Sequence, residues 1–179
     1  MFIEKLNLTA DLTTVEKNLS VILNATTWGN NNQIGLTHRP DAADVWHDST
    51  GSLYDRVNNV ELVKESEFSE LNPSTPEYLI YILNELCKLQ NIKIGRARFM
   101  RLLPKTGLTV HADNSERYHL VINTNKDAFI AQTMNNGGIA AVCYHIPADG
   151  YFYKVDTTKR HFVYNGGQVD RIHLVVSPK

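Results

Sequence analysis

The sequence is poor in cysteine, has no long apolar run and carries almost no net charge. Only Cys87 and Cys143 occur in 179 residues, which is too few for a disulfide framework. Cys87 falls in an apolar helical pattern and Cys143 in a strand pattern, so both are expected as buried thiols rather than as a bridge. No segment approaches the roughly 20 apolar residues that cross a bilayer. Met1-Phe-Ile-Glu-Lys5 lacks the apolar stretch of a secretory leader. Eighteen Lys and Arg stand against nineteen Asp and Glu, a net charge of -1. That balance excludes the basic footprint of a nucleic-acid binder and a basic membrane-binding patch. There is no internal repeat and no low-complexity segment. The expectation is a soluble, cytoplasmic protein kept reduced, with residues 1–179 forming a single domain, since domains commonly run to about 100–200 residues. A chain of this length can bury roughly 70% of its unfolded surface, enough for a real core.

The apolar periodicity gives a coarse order of elements. Phe2 to Leu8 alternates and predicts a strand. Asp11 precedes a helical stripe of Leu12, Val15, Leu19, Ile22 and Leu23, with Asp11 as its cap. Asn30-Asn31-Asn32 predicts a loop and Gln33 to Thr37 a short strand. Arg39-Pro40 opens a mostly irregular stretch through Ser74, relieved by a short strand at Val60 to Val63. Irregular segments this long are often binding loops or lids. Asn72-Pro-Ser-Thr-Pro-Glu77 predicts a helix start capped by Ser74 or Thr75. Tyr78, Leu79, Ile82, Leu83, Leu86 and Leu89 form its stripe, ending near Gln90. Strands follow at Ile92 to Leu103, Leu108 to His111, Tyr118 to Thr124, Ala128 to Thr133, Ile139 to Ile146, Tyr151 to Val155, His161 to Tyr164 and Arg171 to Val176. Turns are expected at Pro104 to Gly107 and at Asn135 to Gly138. Two helices followed by many short strands suggest a mainly β (α+β) fold, with N-terminal and central helices packed on a double-stranded β-helix, the jelly-roll or cupin-like core.

The chemistry concentrates in the C-terminal half. In His111-Ala-Asp113 the two side chains are two residues apart, so on an extended strand they point to one face. His161 can join them if its strand lies beside theirs. Two histidines and a carboxylate occupy one face of a ferrous ion and leave the opposite face open for a cosubstrate and oxygen. The same donor set also serves hydrolytic zinc sites, so the metal donors alone leave both chemistries open. Arg171 offers a fork-shaped anchor for a carboxylate. Ile172, Leu174 and Val176 alternate against it, which places His173 on the face of Arg171. Arg117 and His119 alternate with Tyr118 and Leu120 and should face the same interior as the metal donors. A protein that had lost its activity and survived as a binding scaffold would have no reason to keep these groups together.

Leu102-Leu-Pro-Lys-Thr-Gly107 leads into His111, and Arg117-Tyr-His-Leu120 follows it. Later come Gly150, Asp156-Thr-Thr158, His161-Phe-Val-Tyr-Asn165 and Arg171-Ile-His-Leu-Val175. In order and spacing these resemble the aspartyl/asparaginyl β-hydroxylase family of Fe(II)- and 2-oxoglutarate-dependent oxygenases, most strongly over residues 95–178. The resemblance implies a jelly-roll fold with the metal at the open mouth of the barrel. It implies His111, Asp113 and His161 as metal and catalytic residues, with Fe(II), 2-oxoglutarate and O2 as cofactor and cosubstrates. It implies Arg171, one strand over from His161, on the distal carboxylate of 2-oxoglutarate, with Arg117 and His119 as an R-x-H pair that helps hold the cosubstrate. Asp156 matches the end of a segment before the distal histidine and is expected to form a turn.

Two departures narrow the reading. The animal enzymes that name the family have glycine where this chain has Asp113; here the triad is complete, as in the related free-proline hydroxylases. A serine that contacts the cosubstrate in the family aligns with Met100. Both changes weaken any assignment of aspartate or asparagine in EGF-like domains as substrate. A free amino acid or a peptide side chain is the expected substrate class. Thr37-His38-Arg39-Pro40 and Asp44-Val-Trp46-His47 concentrate polar and aromatic groups, so residues 38–47 are expected at the substrate entrance. There His38 and Arg39 would meet a substrate carboxylate and Trp46 would form a wall.

Overall fold

In a computed structural model of the chain, residues 1–29, 31–55, 57–58, 60–134 and 140–179 are described. Strand β1 (Ile3–Thr9) leads into helix α1 (Leu12–Ala25), which buries Val15, Leu19 and Ile22 along one face. Two short strands follow, β2 (Gln33–Gly35) and β3 (Thr37–His38). The stretch expected to be irregular carries more structure than its sequence advertises. It holds β4 (Tyr54–Asp55), β5 (Val60–Glu61), a 3-10 turn at Glu65–Glu67 and β6 (Glu70–Leu71). Strand β5 falls within the short strand expected at Val60 to Val63; the other pieces are two or three residues long, too short for periodicity to reveal.

Helix α2 (Glu77–Gln90) starts where expected but is not capped as expected. Its cap position is Pro76, with no side-chain cap. The Ser74 N–H instead donates to Asn72 Oδ1 at 2.9 Å, so Asn72 organises the turn ahead of the helix. The helix ends at Asn91, whose left-handed backbone (φ 51°, ψ 48°) stops it.

The remaining strands are β7 (Ile94–Leu102), β8 (Thr106–His111), β9 (Arg117–Asn123), β10 (Ala128–Thr133), β11 (Ala141–Tyr144), β12 (Tyr151–Val155), β13 (His161–Asn165) and β14 (Arg171–Pro178). The turn expected at Asn135 to Gly138 lies outside the described residues, as does Asn30 of the asparagine loop. Gly107 is a strand residue, not a turn residue. A Cβ there would sit 2.7 Å from the Val163 carbonyl oxygen, so glycine is required by the close approach of β13. The turn itself falls at Lys105, with φ 59°. Neither cysteine is bridged, but Cys143 is exposed rather than buried. It lies on β11, which ends its sheet and leaves much of its length uncovered. Among the described residues no helix is long and apolar enough to cross a membrane.

The chain divides into two compact units. The first comprises Met1–Leu12 and Arg101–Leu174 and is a double-stranded β-helix. One of its sheets runs β1-β12-β9-β14 and the other β11-β10-β13-β8. Phe2, Val121, Ile130, Ile146, Tyr153, Val155 and Val163 interlock as its core, drawn from strands of both sheets. Each such side chain contributes about 1.5–3 kcal/mol by leaving water. The second unit comprises Thr13–Met100 and Val175–Lys179. Here β7 lies between β14 and β2, and β3 pairs with β6. Its core includes Ile34, Leu36, Phe68, Leu79, Ile82, Leu83, Leu86 and Phe99.

Candidate metal centre

The first unit positions three metal donors by strand register. Strands β8 and β13 pair antiparallel with His111 opposite His161. The two imidazole centroids are 4.4 Å apart and tilted by 52°. Asp113 follows two residues after His111. Its N–H donates to the Thr157 carbonyl at 2.8 Å, which ties it to the turn ahead of β13. The Thr157 hydroxyl in turn donates to the Ser115 carbonyl at 2.7 Å. Asp156 forms that turn as expected, accepting from the Thr158 hydroxyl and pairing with Lys159 at 2.9 Å.

The donor atoms of His111, Asp113 and His161 all lie within 4.8 Å of one another. In each histidine Nδ1 donates to the carbonyl two residues earlier, His111 to Thr109 at 2.7 Å and His161 to Lys159 at 2.9 Å. Those bonds fix the rings and leave both Nε2 lone pairs free. The two Nε2 atoms face the Asp113 carboxylate at 3.9 and 4.0 Å. Such gaps are too long for hydrogen bonds. They suit two donors sharing one ion, given bonds of about 2.0–2.2 Å to nitrogen and oxygen. Burial holds the His161 imidazole below its usual pKa, opposed by its bond to the Lys159 carbonyl, which keeps the ring in its metal-binding neutral form. The site is graded in depth. The His161 side chain is 3% exposed, against 26% and 24% for His111 and Asp113. No fourth His, Cys, Asp or Glu joins the group among the described residues, so coordination positions stay open. The donors fit a catalytic metal with labile sites rather than a closed structural one.

Two arginines and two histidines accompany the triad. Arg117 is buried on β9, and its Nε lies 3.5 Å from Asp113 Oδ2. Its guanidinium also donates to Ser115 Oγ at 2.6 Å. Arg171 is buried on β14, and burial pushes its pKa down to about 9, still charged at neutrality. No carboxylate pairs with it among the described residues. Its strand is not the neighbour of β13, contrary to expectation. Strand β14 lies in the other sheet, next to β9, which carries Arg117 and His119. Residues 166–170 cross from one sheet to the other. Spacing along the chain cannot distinguish such a crossing from a hairpin. His119 and His173 are both buried, and burial, together with the charge of Arg171, holds each well below its usual pKa.

The expected substrate residues lie in the second unit, and their charges are already engaged. Arg39 binds Asp48 through Nη2 at 2.6 Å and Nε at 3.1 Å, and its backbone N–H reaches the same carboxylate at 2.7 Å. His38 is buried, with Nδ1 donating to the Arg39 carbonyl at 2.8 Å. Both side chains thus already have partners within the second unit. The acidic partner, Asp48, is nine residues away, and nothing local in the sequence singles it out. Trp46 is half-buried, and its carbonyl accepts from the Gly35 N–H at 2.7 Å. Arg39, Asp41, Asp44, His47, Asp48 and Glu67 line a groove of about 800 Å³.

The sequence matches the model of the Aspartyl/Asparaginyl beta-hydroxylase family over residues 10–178. No curated protein matches it. Among solved structures, HygX from Streptomyces hygroscopicus with nickel and 2-oxoglutarate bound is similar at 7% identity and a TM-score of 0.61, covering 98% of this chain and 81% of that one. The viral collagen prolyl hydroxylase vCPH from Paramecium Bursaria Chlorella virus-1, a 2OG complex, is similar at 9% identity and a TM-score of 0.53, covering 100% and 97%. A 2OG-Fe(II) oxygenase family oxidoreductase from Burkholderia pseudomallei is similar at 16% identity and a TM-score of 0.46, and the match spans 60% of this chain and 59% of that one. At these identities the first two structures speak to the fold alone, a shared jelly roll. The family match covers nearly the whole sequence, and with the donor geometry above it places the chain in the aspartyl/asparaginyl β-hydroxylase family of Fe(II)- and 2-oxoglutarate-dependent oxygenases.

Proposed function

We propose that this chain is a dioxygenase that hydroxylates an unactivated C–H bond of a free amino acid or a peptide side chain, with release of succinate and carbon dioxide. One observation carries the reading: His111 and His161 face each other across β8 and β13, and their donor atoms and that of Asp113 all lie within 4.8 Å of one another. His111, Asp113 and His161 would hold Fe(II). The iron, 2-oxoglutarate and O2 together supply the oxidising chemistry when bound, while the protein supplies binding, orientation and exclusion of side reactions.

The roles of the protein groups follow from their charges and positions. Arg171 is a buried cation with no acidic partner among the described residues, suited to the distal carboxylate of 2-oxoglutarate. Arg117 braces Asp113 and adds positive charge beside His119. His119 supplies a neutral ring to the cosubstrate. The two relatives whose descriptions include bound 2-oxoglutarate support this cosubstrate. The family match from residue 10 to residue 178 supports reading the chain as one functional oxygenase domain.

The test is an anaerobic titration of the apo-protein with Fe(II) and then with 2-oxoglutarate. A metal-to-ligand charge-transfer band that needs both is expected. A protein that binds a divalent metal but shows no such band, and instead hydrolyses substrates with zinc, would overturn the reading.

A further inference from the structure

Two buried rings beside Arg171 hold their hydrogen-bonding atoms in an unusual way. His119 on β9 and His173 on β14 meet through their Nδ1 atoms, 3.3 Å apart. The rings are nearly perpendicular, at 84° with centroids 5.5 Å apart. His119 is 7% exposed and His173 1%. Neither Nε2 has a hydrogen-bond partner among the described residues, although both atoms are buried.

A count of protons shows what such a pair can do. A neutral imidazole carries a single N–H, on one nitrogen or the other. Two bare nitrogens facing each other at this distance repel, so one Nδ1 carries the proton and donates to the other. The donating ring is then left with a bare Nε2. The accepting ring must carry its own proton on Nε2. The pair therefore offers one Nε2–H donor and one Nε2 acceptor, neither of them satisfied by the protein. A buried donor without a partner is costly, and a native structure that keeps one usually has a ligand for it. A carboxylate can only accept, so it selects the ring with the Nε2–H.

We propose that His173 is a positioning residue for the cosubstrate: its Nδ1–H donates to His119 Nδ1 and holds His119 as the Nε2–H tautomer, aimed with Arg171 at a carboxylate oxygen of 2-oxoglutarate. The inference rests on the assignment of Arg171 and His119 to the cosubstrate and adds the residue that makes His119 a donor. In the opposite tautomer His119 would turn a lone pair toward the carboxylate, and the two would repel. Burial, and after it the charge of Arg171, keeps both rings neutral, so the one-proton-per-ring count holds.

The test compares wild type with His173→Asn and His173→Phe. The asparagine amide places an N–H near the position of Nδ1; phenylalanine keeps a planar ring but donates nothing. Affinity for 2-oxoglutarate is read anaerobically on Fe(II)-loaded protein by the charge-transfer band. The tautomer of His119 is read independently by long-range 1H–15N correlation on the apo-protein. His173→Phe is expected to weaken 2-oxoglutarate binding roughly tenfold or more, the usual scale for a lost hydrogen bond to a charged group. Fe(II) affinity should be unchanged. His173→Asn should stay within about threefold of wild type, and His119 should carry its proton on Nε2 in both.

Equal weakening in both variants would reduce His173 to packing and overturn the proposal. So would normal binding by His173→Phe, or a wild-type His119 protonated on Nδ1. Wild-type protein that shows the Nε2–H tautomer but no 2-oxoglutarate binding would overturn the cosubstrate assignment itself, and the role of His173 with it. Should His173→Phe fail to fold, the tautomer in wild type and in His173→Asn decides.

Discussion

His111 and His161 are cross-strand partners, and the pairing of β8 with β13 alone brings their rings to 4.4 Å. The separation of fifty residues along the chain is bridged by the antiparallel pairing of the two strands. The proposed metal site is therefore tied to register, and several consequences can be measured.

Replacing His161 removes a metal donor from the deepest point of the site. His161→Ala should abolish turnover. Iron affinity should fall by more than the roughly 10–100-fold typical of losing an outer hydrogen-bond partner. Far-UV circular dichroism should stay unchanged, because β13 keeps its pairing on both sides. Unfolding of this variant under native conditions would mark His161 as structural instead.

Gly107→Ala tests the register from a distance. The added Cβ meets the Val163 carbonyl at 2.7 Å, so β8 and β13 must separate. Overpacking of this kind typically costs about 1–3 kcal/mol. A lowered melting temperature together with weaker iron binding is expected, although the substituted residue is four positions from His111. Wild-type iron affinity in the variant would show that the site does not depend on this part of the pairing.

Arg171→Ala and Arg171→Lys should weaken 2-oxoglutarate binding by at least about 100-fold, on the scale of about 3–5 kcal/mol for breaking a buried charge pair. Lysine cannot reproduce the two-pronged geometry. Iron should load normally, because the three donors are untouched. Shorter 2-oxo acids without a second carboxylate should bind wild type and Arg171→Ala alike. Equal loss of iron and 2-oxoglutarate would refute the assignment.

Stability should fall on the acid side of neutrality. His119 and His173 are held well below their usual pKa by burial. In the unfolded chain they take up protons near pH 6.5, while in the folded protein they do so only much lower. The unfolded state thus binds more protons as pH drops through about 6.5, and stability drops with it. Their contribution is fully present above that pH. It is lost below it with a limiting slope of about 1.4 kcal/mol per pH unit for each ring. Denaturant unfolding between pH 7.5 and 5 should show this, and His173→Asn should remove about half of the slope attributable to the pair.

The parts of this protein that were legible in its sequence are those set by local repetition. Alternation marked β1, β10 and β12 almost to the residue, and the two-residue step of His111-x-Asp113 announced a shared face. The parts that were not legible depend on distant chain or on bare backbone. The carbonyls of Thr109 and Lys159 fix the two histidine rings, yet any residue type could supply them. Arg39 reads as a free cation until Asp48 is seen holding it. The crossing of β14 into the second sheet is a choice of topology that five connecting residues do not encode locally. His173 shows its alternation plainly but not its partner, because β9 lies some fifty residues upstream.

The link between the Asp113 N–H and the Thr157 carbonyl means that the loops can vary while the site stays fixed. The segment between Ser115 and Thr157 leaves the site and returns to it at anchored points, with the Thr157 hydroxyl closing the circuit on the Ser115 carbonyl. The register of β8 against β13 shifts by one residue between Leu108 and His111, and that shift sets the face His111 presents. Lineages descended from such a chain could exchange substrates by lengthening or recomposing their loops, while Gly107 and His111 keep their places in β8.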